Sequence, residues 1–95
     1  MDNVQKTNTF PSIAGKYNKH YKLVEQCFDC IDKMNTQIQR IQADTSLSTM
    51  EKQRKIMQRQ DNINRSINEI ENTRCYLQEH GAWTSAMQAR FEKVR

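Results

Sequence analysis

The stretch that most constrains this chain runs from Ala43 to Glu51 and reads A-D-T-S-L-S-T-M-E. It is the densest cluster of turn-forming residues in a sequence whose apolar positions otherwise recur every three or four residues. Short polar side chains such as those of Asp44 and Ser46 bond to nearby backbone groups and therefore favour turns and helix ends. We predict that the chain reverses direction at residues 44–48, between two long helices.

The same stretch contains a signal for the start of a helix. Ser48 is followed three residues later by Glu51, which is the spacing of a capping box. In this motif the hydroxyl accepts from the N–H of the glutamate, and the carboxylate accepts from the N–H of the serine. Leu47 stands before the cap, where a hydrophobic staple is found. The second helix is therefore predicted to begin at about residue 48.

The residues before the bend carry one apolar stripe at helical spacing. Its members lie three or four residues apart: Ile13, Tyr17, Tyr21, Val24, Phe28, Ile31, Met34, Ile38 and Ile41. The stripe predicts a helix over about 12–43, with Ser12 as a candidate N-cap. Gly15 weakens the first turn, so the helix can also start nearer Tyr17. Residues 1–11 lack the pattern and are predicted to form a flexible segment.

The residues after the bend predict a second helix of similar length, over about 48–79. Its apolar residues follow a seven-residue repeat typical of a coiled-coil seam: Ile56, Ile63, Ile70 and Leu77. Gln60 and Arg74 fall between them, where a seam prefers apolar side chains. Such polar residues lower stability but can set register or partner choice. His80 and Gly81 resemble a helix C-terminus with glycine just beyond the cap.

Residues 83–94 form a short amphipathic pattern with Trp83, Met87, Phe91 and Val94 on one side. The second helix can break at Gly81, so that this piece folds back. It can also continue straight, because one glycine costs only about 1 kcal/mol in a helix. We favour the break.

The aromatic and methionine side chains near the C-terminus have two interpretations. Trp83, Met87 and Phe91 either pack on the open end of the hairpin or anchor a partner helix, since such residues are common interface anchors. Tyr17 and Tyr21 are candidates for the other half of the same partner-binding patch.

These patterns together predict one all-α domain over 12–95, an antiparallel two-helix coiled-coil hairpin with a short third C-terminal helix. With the bend centred near residues 45–46, facing residues should have numbers that add to about 91, so that Phe28 meets Ile63. Cys75 would then lie on the order of 16 Å along the helix from Cys27.

The three cysteines raise the hypothesis of a zinc site. Cys27 and Cys30 form a C-x-x-C pair, and Cys75, His20 and His80 could add ligands. Zinc requires four ligands that converge on one point, and the predicted register keeps Cys75 and His80 away from the pair. The same separation exceeds the reach of a disulfide. We expect reduced thiols, no metal and no cofactor.

A cluster of basic residues follows the bend. Lys52, Lys55 and Arg59 share one face of the predicted second helix, and Arg54 lies beside it. A solvated helix face is the plainer interpretation, and contact with nucleic acid or another anionic surface is the alternative. The chain has a net charge of +4, but no aromatic residues interleave with this cluster, so base stacking is not supported.

No sequence pattern indicates catalysis. The chain has no Gly-rich phosphate loop and no nucleophile arrangement that the predicted fold would assemble, so we expect no enzyme activity. It also lacks an apolar run near 18 residues, the core of a signal peptide and a lipidation motif. These features lead us to expect an intracellular, cytoplasmic protein.

The predicted shape indicates a function by contact. A two-helix hairpin has a limited core and gains stability by burying its remaining apolar face against another chain. We expect a non-enzymatic protein–protein interaction module, such as a scaffold, an adaptor or a chaperone-like small subunit of a coiled-coil assembly. Its partner would be another helical protein or a second copy in a homodimer.

Overall fold

The computed structural model describes residues 15–95, which form a helical hairpin followed by a short helix. The helices are α1 (Asn18–Ala43), α2 (Thr49–Glu79) and α3 (Ser85–Val94). Helices α1 and α2 pack against each other in antiparallel orientation. The predicted all-α hairpin with a short third helix is confirmed.

Helix α1 begins next to Tyr17, the second of the two predicted starts, and not at residue 12. A 3-10 turn at Gly15–Tyr17 precedes it, and Asn18 is its first α-helical residue. Tyr17 occupies the N-cap position and makes no side-chain capping bond. The candidate cap Ser12 and the predicted flexible segment 1–11 lie outside the described residues.

The bend contains the predicted capping box. The Glu51 N–H donates to Ser48 Oγ at 3.2 Å, and the Ser48 N–H donates to Glu51 Oε1 at 2.9 Å. At the other side of the bend, Asp44 Oδ1 accepts from the Ser46 hydroxyl at 2.6 Å and from its N–H at 2.9 Å. The reversal is therefore held by local hydrogen bonds at both helix ends.

These hydrogen bonds lower the pKa of both carboxyl groups. The Ser46 hydroxyl and N–H lower the pKa of Asp44, and the Ser48 N–H lowers the pKa of Glu51. A lowered pKa in the folded state means that the ionised carboxylate contributes stability above its ordinary pKa, and that this contribution is lost as pH falls through the folded-state value. The bend should therefore weaken in acid.

The register of the hairpin differs from the prediction. Two side-chain pairs bonded across the helices, Gln37 with Arg59 and Met34 with Asn62, have numbers that add to 96, and the contact of Lys52 with the Gln42 carbonyl adds to 94, not to about 91. At this register Ala43 faces residue 53, so the first turn of α2 extends past the end of α1. The physical reason is that the hydrogen bonds of the bend are all local. They determine where each helix ends, but the five connecting residues between the helices allow several axial offsets, and side-chain packing selects one.

Helix α2 ends at a glycine-terminated turn. Gly81 has a φ of 68°, in the left-handed region that glycine adopts without strain. The Ala82 N–H donates to the Leu77 carbonyl at 2.7 Å, and the Gly81 N–H donates to the Gln78 carbonyl at 3.1 Å. This is the Schellman pattern. The predicted break at Gly81 is present, and α3 begins at Ser85 after Trp83 and Thr84.

The core lies along the α1–α2 seam and under α3. Its buried apolar residues are Tyr21, Val24, Cys27, Phe28, Ile31, Ile38, Ile63, Ile70, Leu77, Ala82, Met87 and Phe91. Most of them lie in the half of the hairpin away from the bend. Three helices meet in that half, whereas only two are present near the bend, so burial is deeper there.

The seam of α2 includes Ile63, Ile70 and Leu77 of the predicted heptad repeat, but not the intervening positions 60 and 74. Gln60 is exposed and Arg74 is half-buried, whereas Thr73 is buried. Thr73 lies three residues after Ile70, and Arg74 lies four after it. The interhelical seam therefore passes on the Thr73 side of α2, which leaves Arg74 to face α3.

Within residues 15–95, no helix combines the length and the apolar character that crossing a lipid bilayer requires.

The capping box predicts that the variant Ser48→Ala is less stable than the natural chain. The substitution removes the hydroxyl that accepts from the Glu51 N–H. We therefore expect the free energy of unfolding to fall by about 1 kcal/mol and Tm by about 4–8 °C. Thermal unfolding followed by circular dichroism measures both. The control Ser85→Ala changes an exposed serine in the first turn of α3 and should leave Tm nearly unchanged. Equal stability of Ser48→Ala and the natural chain would contradict a structural role for the cap.

The left-handed turn predicts opposite effects at the two glycines. Gly81→Ala should lose about 1 kcal/mol of stability, because an L-residue is strained at positive φ. Gly15→Ala meets open space and no positive φ, so it should be neutral or stabilising by up to about 1 kcal/mol. Urea unfolding of both variants tests the pair. The assignment of the turn would be wrong if both substitutions had the same effect.

Candidate functional site

Most of the predicted partner-binding residues lie at the open end of the hairpin, where the start of α1 meets the turn that precedes α3. Met87 and Phe91 have no exposed surface, and Tyr21 is 5% exposed. The Trp83 ring meets the Phe91 ring edge-on at 6.2 Å. Packing on the open end, the first of the two predicted alternatives, therefore describes these residues. The side chains of Met87, Phe91 and Tyr21 are not available to a partner in this conformation, whereas Trp83 is half-buried.

Charged contacts help to hold α3 on α1. Arg90 Nη2 lies 3.2 Å from Asp32 Oδ2 and 3.7 Å from Asp29 Oδ1. Its guanidinium also lies 4.6 Å from the centre of the Phe28 ring. Both aspartates are mostly exposed, and exposed ion pairs contribute at most about 1 kcal/mol. The ion pairs therefore orient α3, while burial of Met87 supplies more of its stability.

Helix α2 contacts α3 through Arg74. Its guanidinium lies 5.5 Å from the centre of the Phe91 ring, and Nη2 forms an ion pair with Glu71 at 3.0 Å. Arg74 Nε is buried and has no hydrogen-bond partner within residues 15–95. Arg74 is therefore part of the packing around α3. Gln60, predicted to act with it in partner choice, lies exposed farther along α2.

Tyr21 joins α1 to the turn that precedes α3. Its hydroxyl donates to the Ala82 carbonyl at 2.9 Å across 61 residues of sequence. Burial raises the pKa of Tyr21, with a smaller contribution from Tyr17. The neutral phenol is therefore the favoured form, and it can donate this hydrogen bond at neutral pH.

A cluster of rings at the same end was not predicted. Tyr76 lies between two histidines, with ring centres 4.4 Å from His20 and 4.4 Å from His80. Tyr17 contacts Tyr76 at 6.4 Å and His80 at 5.8 Å. We call these four residues the aromatic–histidine cluster. The numbers of His20 and Tyr76 add to 96, so the correct register would have revealed the pair, whereas the predicted one did not.

Two of the four predicted basic residues on α2 contact α1. Lys52 Nζ donates to the Gln42 carbonyl at 3.0 Å, near the negative end of the α1 dipole. Arg59 Nε donates to Gln37 Oε1 at 3.1 Å. Arg54 is exposed and Lys55 is half-buried. Part of this predicted anionic-surface site therefore supports the hairpin itself.

The three cysteines are free thiols in different surroundings. Cys27 is buried, Cys30 is half-buried and Cys75 is exposed. Burial raises the pKa of Cys27, with Glu69 and Cys30 adding to the effect. Its thiol is therefore held protonated and poorly nucleophilic. In the part of the chain that the structure describes, no three histidine, cysteine or acidic side chains converge to hold a metal ion.

The side of α1 that points away from α3 carries a second apolar surface. Leu23 is 37% exposed, and Cys30, Met34 and Ile41 are half-buried. Their spacing of seven, four and seven residues places them on one face over about 27 Å. Leu23 and Asp32 are nine residues apart, or two and a half turns, so Leu23 lies opposite the aspartate that holds α3. We call these four residues the open stripe.

The end of the open stripe farthest from the bend forms a shallow depression on α1. Lys19, His20, Lys22, Leu23 and Gln26 line it. Nothing in the sequence pattern marked Leu23, because it is one residue away from Val24 in the predicted core stripe. Only the placement of α3 reveals that no other helix within residues 15–95 covers this side of α1.

Comparisons with known proteins add no relative: no family model, no curated protein and no solved structure matches this chain.

Because α3 is buried on the hairpin, substitutions at Met87 and Met57 should lower stability by different amounts. Met87→Ala should lower the free energy of unfolding by about 2–5 kcal/mol, because it leaves a cavity under α3. The matched control Met57→Ala alters a side chain that is 66% exposed and should change stability by less than about 0.5 kcal/mol. Chemical unfolding followed by the fluorescence of Trp83 measures both. Equal effects would place Met87 outside the core and return it to the partner-binding patch.

Proposed function

We propose that this chain is a non-enzymatic protein–protein interaction module that presents the open stripe to a helix of another chain. The supporting observation is the one-sided position of α3. Helix α3 covers one side of the hairpin, and the other side retains the four apolar residues of the open stripe, with Gln26 and Gln37 in the gaps between them. A scaffold, an adaptor or a small chaperone-like subunit of a helical assembly acts in this way.

The geometry of the open stripe suits a helical partner. Side chains at intervals of seven and four residues form the seam that a second helix fills by knobs-into-holes packing. A length of about 27 Å corresponds to about five helical turns of partner. The stripe lies on α1 beside the α1–α2 groove, whose α2 wall includes Asn62 and Glu69. The α2 wall is polar, so α1 would supply the apolar contacts and α2 the hydrogen bonds.

The basic residues on α2 support the alternative function, binding to an anionic surface, less well than the open stripe supports an interaction module. Binding to nucleic acid or another anionic surface would use Lys52, Arg54, Lys55 and Arg59, and Lys52 and Arg59 already contact α1. The interaction module is therefore the function that the described contacts support better. The partner would be a helical protein or a second copy of this chain.

The proposal predicts a partner that is captured through the open stripe. A photo-crosslinking residue at position 30, introduced into the full chain in its native source, should form a discrete adduct with a protein partner or with a second copy. The same residue at position 64, an exposed site on α2, should not. Mass spectrometry of the adducts identifies the partner. Absence of an adduct at position 30, together with a strictly monomeric chain in light scattering, would contradict the proposal.

Paired substitutions provide the matched control for this experiment. Leu23→Asp should weaken capture by at least about tenfold, because charge in an apolar seam is costly. Adding Met34→Asp should weaken it further, with circular dichroism verifying that the hairpin is intact, because Met34 also contacts α2. Met50→Asp with Met57→Asp introduces the same charges at methionines that are 78% and 66% exposed on α2. That pair should leave capture unchanged. Equal loss in both pairs would show that net charge, and not the open stripe, controls the interaction.

A further inference from the structure

The depression around Leu23 differs in charge from the rest of the open stripe. Two of its lining residues are lysines, Lys19 and Lys22, and none is acidic. Lys16, in the 3-10 turn that precedes α1, adds a third positive charge near this end of the helix. Farther along the stripe, around Cys30 and Met34, Asp29 and Lys33 line the surface together. Positive charge is therefore concentrated at the Leu23 end.

The lysines of the depression are not used by the fold. No ion pair or hydrogen bond within residues 15–95 includes the ammonium group of Lys19 or Lys22, and both residues are exposed. Other cations are engaged: Arg90 pairs with Asp29 and Asp32, and Arg74 pairs with Glu71. The charges of Lys19 and Lys22 therefore remain available to an external anion.

One residue that lines the depression, His20, belongs to the aromatic–histidine cluster. His20 stacks on Tyr76 of α2 with ring planes 17° apart, and Tyr76 in turn contacts His80. This packing holds the first two turns of α1, which carry Lys19, Lys22 and Leu23. A binding surface that is already ordered loses less conformational entropy when its partner arrives.

From this geometry we infer that the depression at Leu23 selects an acidic amphipathic helix. An apolar side chain of that helix packs on Leu23, and flanking carboxylates lie over the ammonium groups of Lys19 and Lys22. Exposed charge complementarity of this kind contributes mainly specificity and association rate, while the apolar contact provides the affinity. The inference rests on the proposed function and assigns the chemistry of its partner.

The test uses synthetic helices as probes of the full chain. A fluorescent amphipathic peptide of about 18 residues carries leucines on one face and glutamates on the other, and its twin carries lysines in place of the glutamates. Fluorescence anisotropy at low salt should show binding of the acidic peptide at least about tenfold tighter than the basic one. Raising the salt concentration should reduce that preference, because exposed charges are screened.

Charge reversal locates the effect on the chain. Lys19→Glu with Lys22→Glu should weaken binding of the acidic peptide by at least about tenfold. The matched pair Arg54→Glu with Lys93→Glu makes the same change in net charge at exposed sites elsewhere and should weaken it by less than about threefold. Leu23→Ala should weaken binding by about fivefold or more, whereas Met57→Ala should not. Circular dichroism of each variant verifies that the helices are intact.

Several outcomes would overturn the inference. Equal binding of the two peptides would do so, as would equal losses in the two charge-reversal pairs. Competition by duplex DNA or anionic vesicles as strong as that by unlabelled acidic peptide would indicate a general anion surface. If position 30 still captures a partner while the peptides show no charge preference, the proposed function stands and only the acidic partner is wrong. If neither experiment gives binding, both fail.

Discussion

The backbone of Gly81 determines how many helices surround the core. At a φ of 68° it ends α2 and turns the chain, so that α3 returns along the hairpin and does not project beyond it. The turn is stabilised by the two Schellman hydrogen bonds and by the Tyr21 hydroxyl on the Ala82 carbonyl. Without this turn, Met87 and Phe91 would have no core to enter.

The position of α3 makes the hairpin asymmetric. Arg90 binds one side of α1, where Phe28 and Asp32 lie, and Arg74 meets Phe91 from α2. On the opposite side of α1, Leu23 is exposed and Met34 is half-buried. A two-helix hairpin has two equivalent open sides, and α3 removes this equivalence by covering one of them. The proposed interaction surface is thus a consequence of where the third helix packs.

The register of the hairpin decides which side chains meet at its open end. A sum of 96 places His20 on Tyr76, whereas a sum of 91 would have placed it opposite residue 71, about one and a half turns away. Capping bonds define where a helix begins but not how far it slides along its neighbour. That offset is chosen by interdigitation of side chains from both helices, such as Met34 with Asn62. The aromatic–histidine cluster could not be predicted for this reason.

The sequence by itself determined the features that depend on near neighbours in the chain. Helical spacing of apolar residues, the capping box at Ser48 and Glu51, and the glycine after His80 each involve residues within a few positions, so local physics suffices to predict them. Only the tertiary structure decided the axial register, the burial of Met87 and Phe91, and the exposure of Leu23. These features depend on contacts between residues far apart in sequence. Several packings of the helices satisfy the same apolar pattern, and the one that fills the core best is adopted.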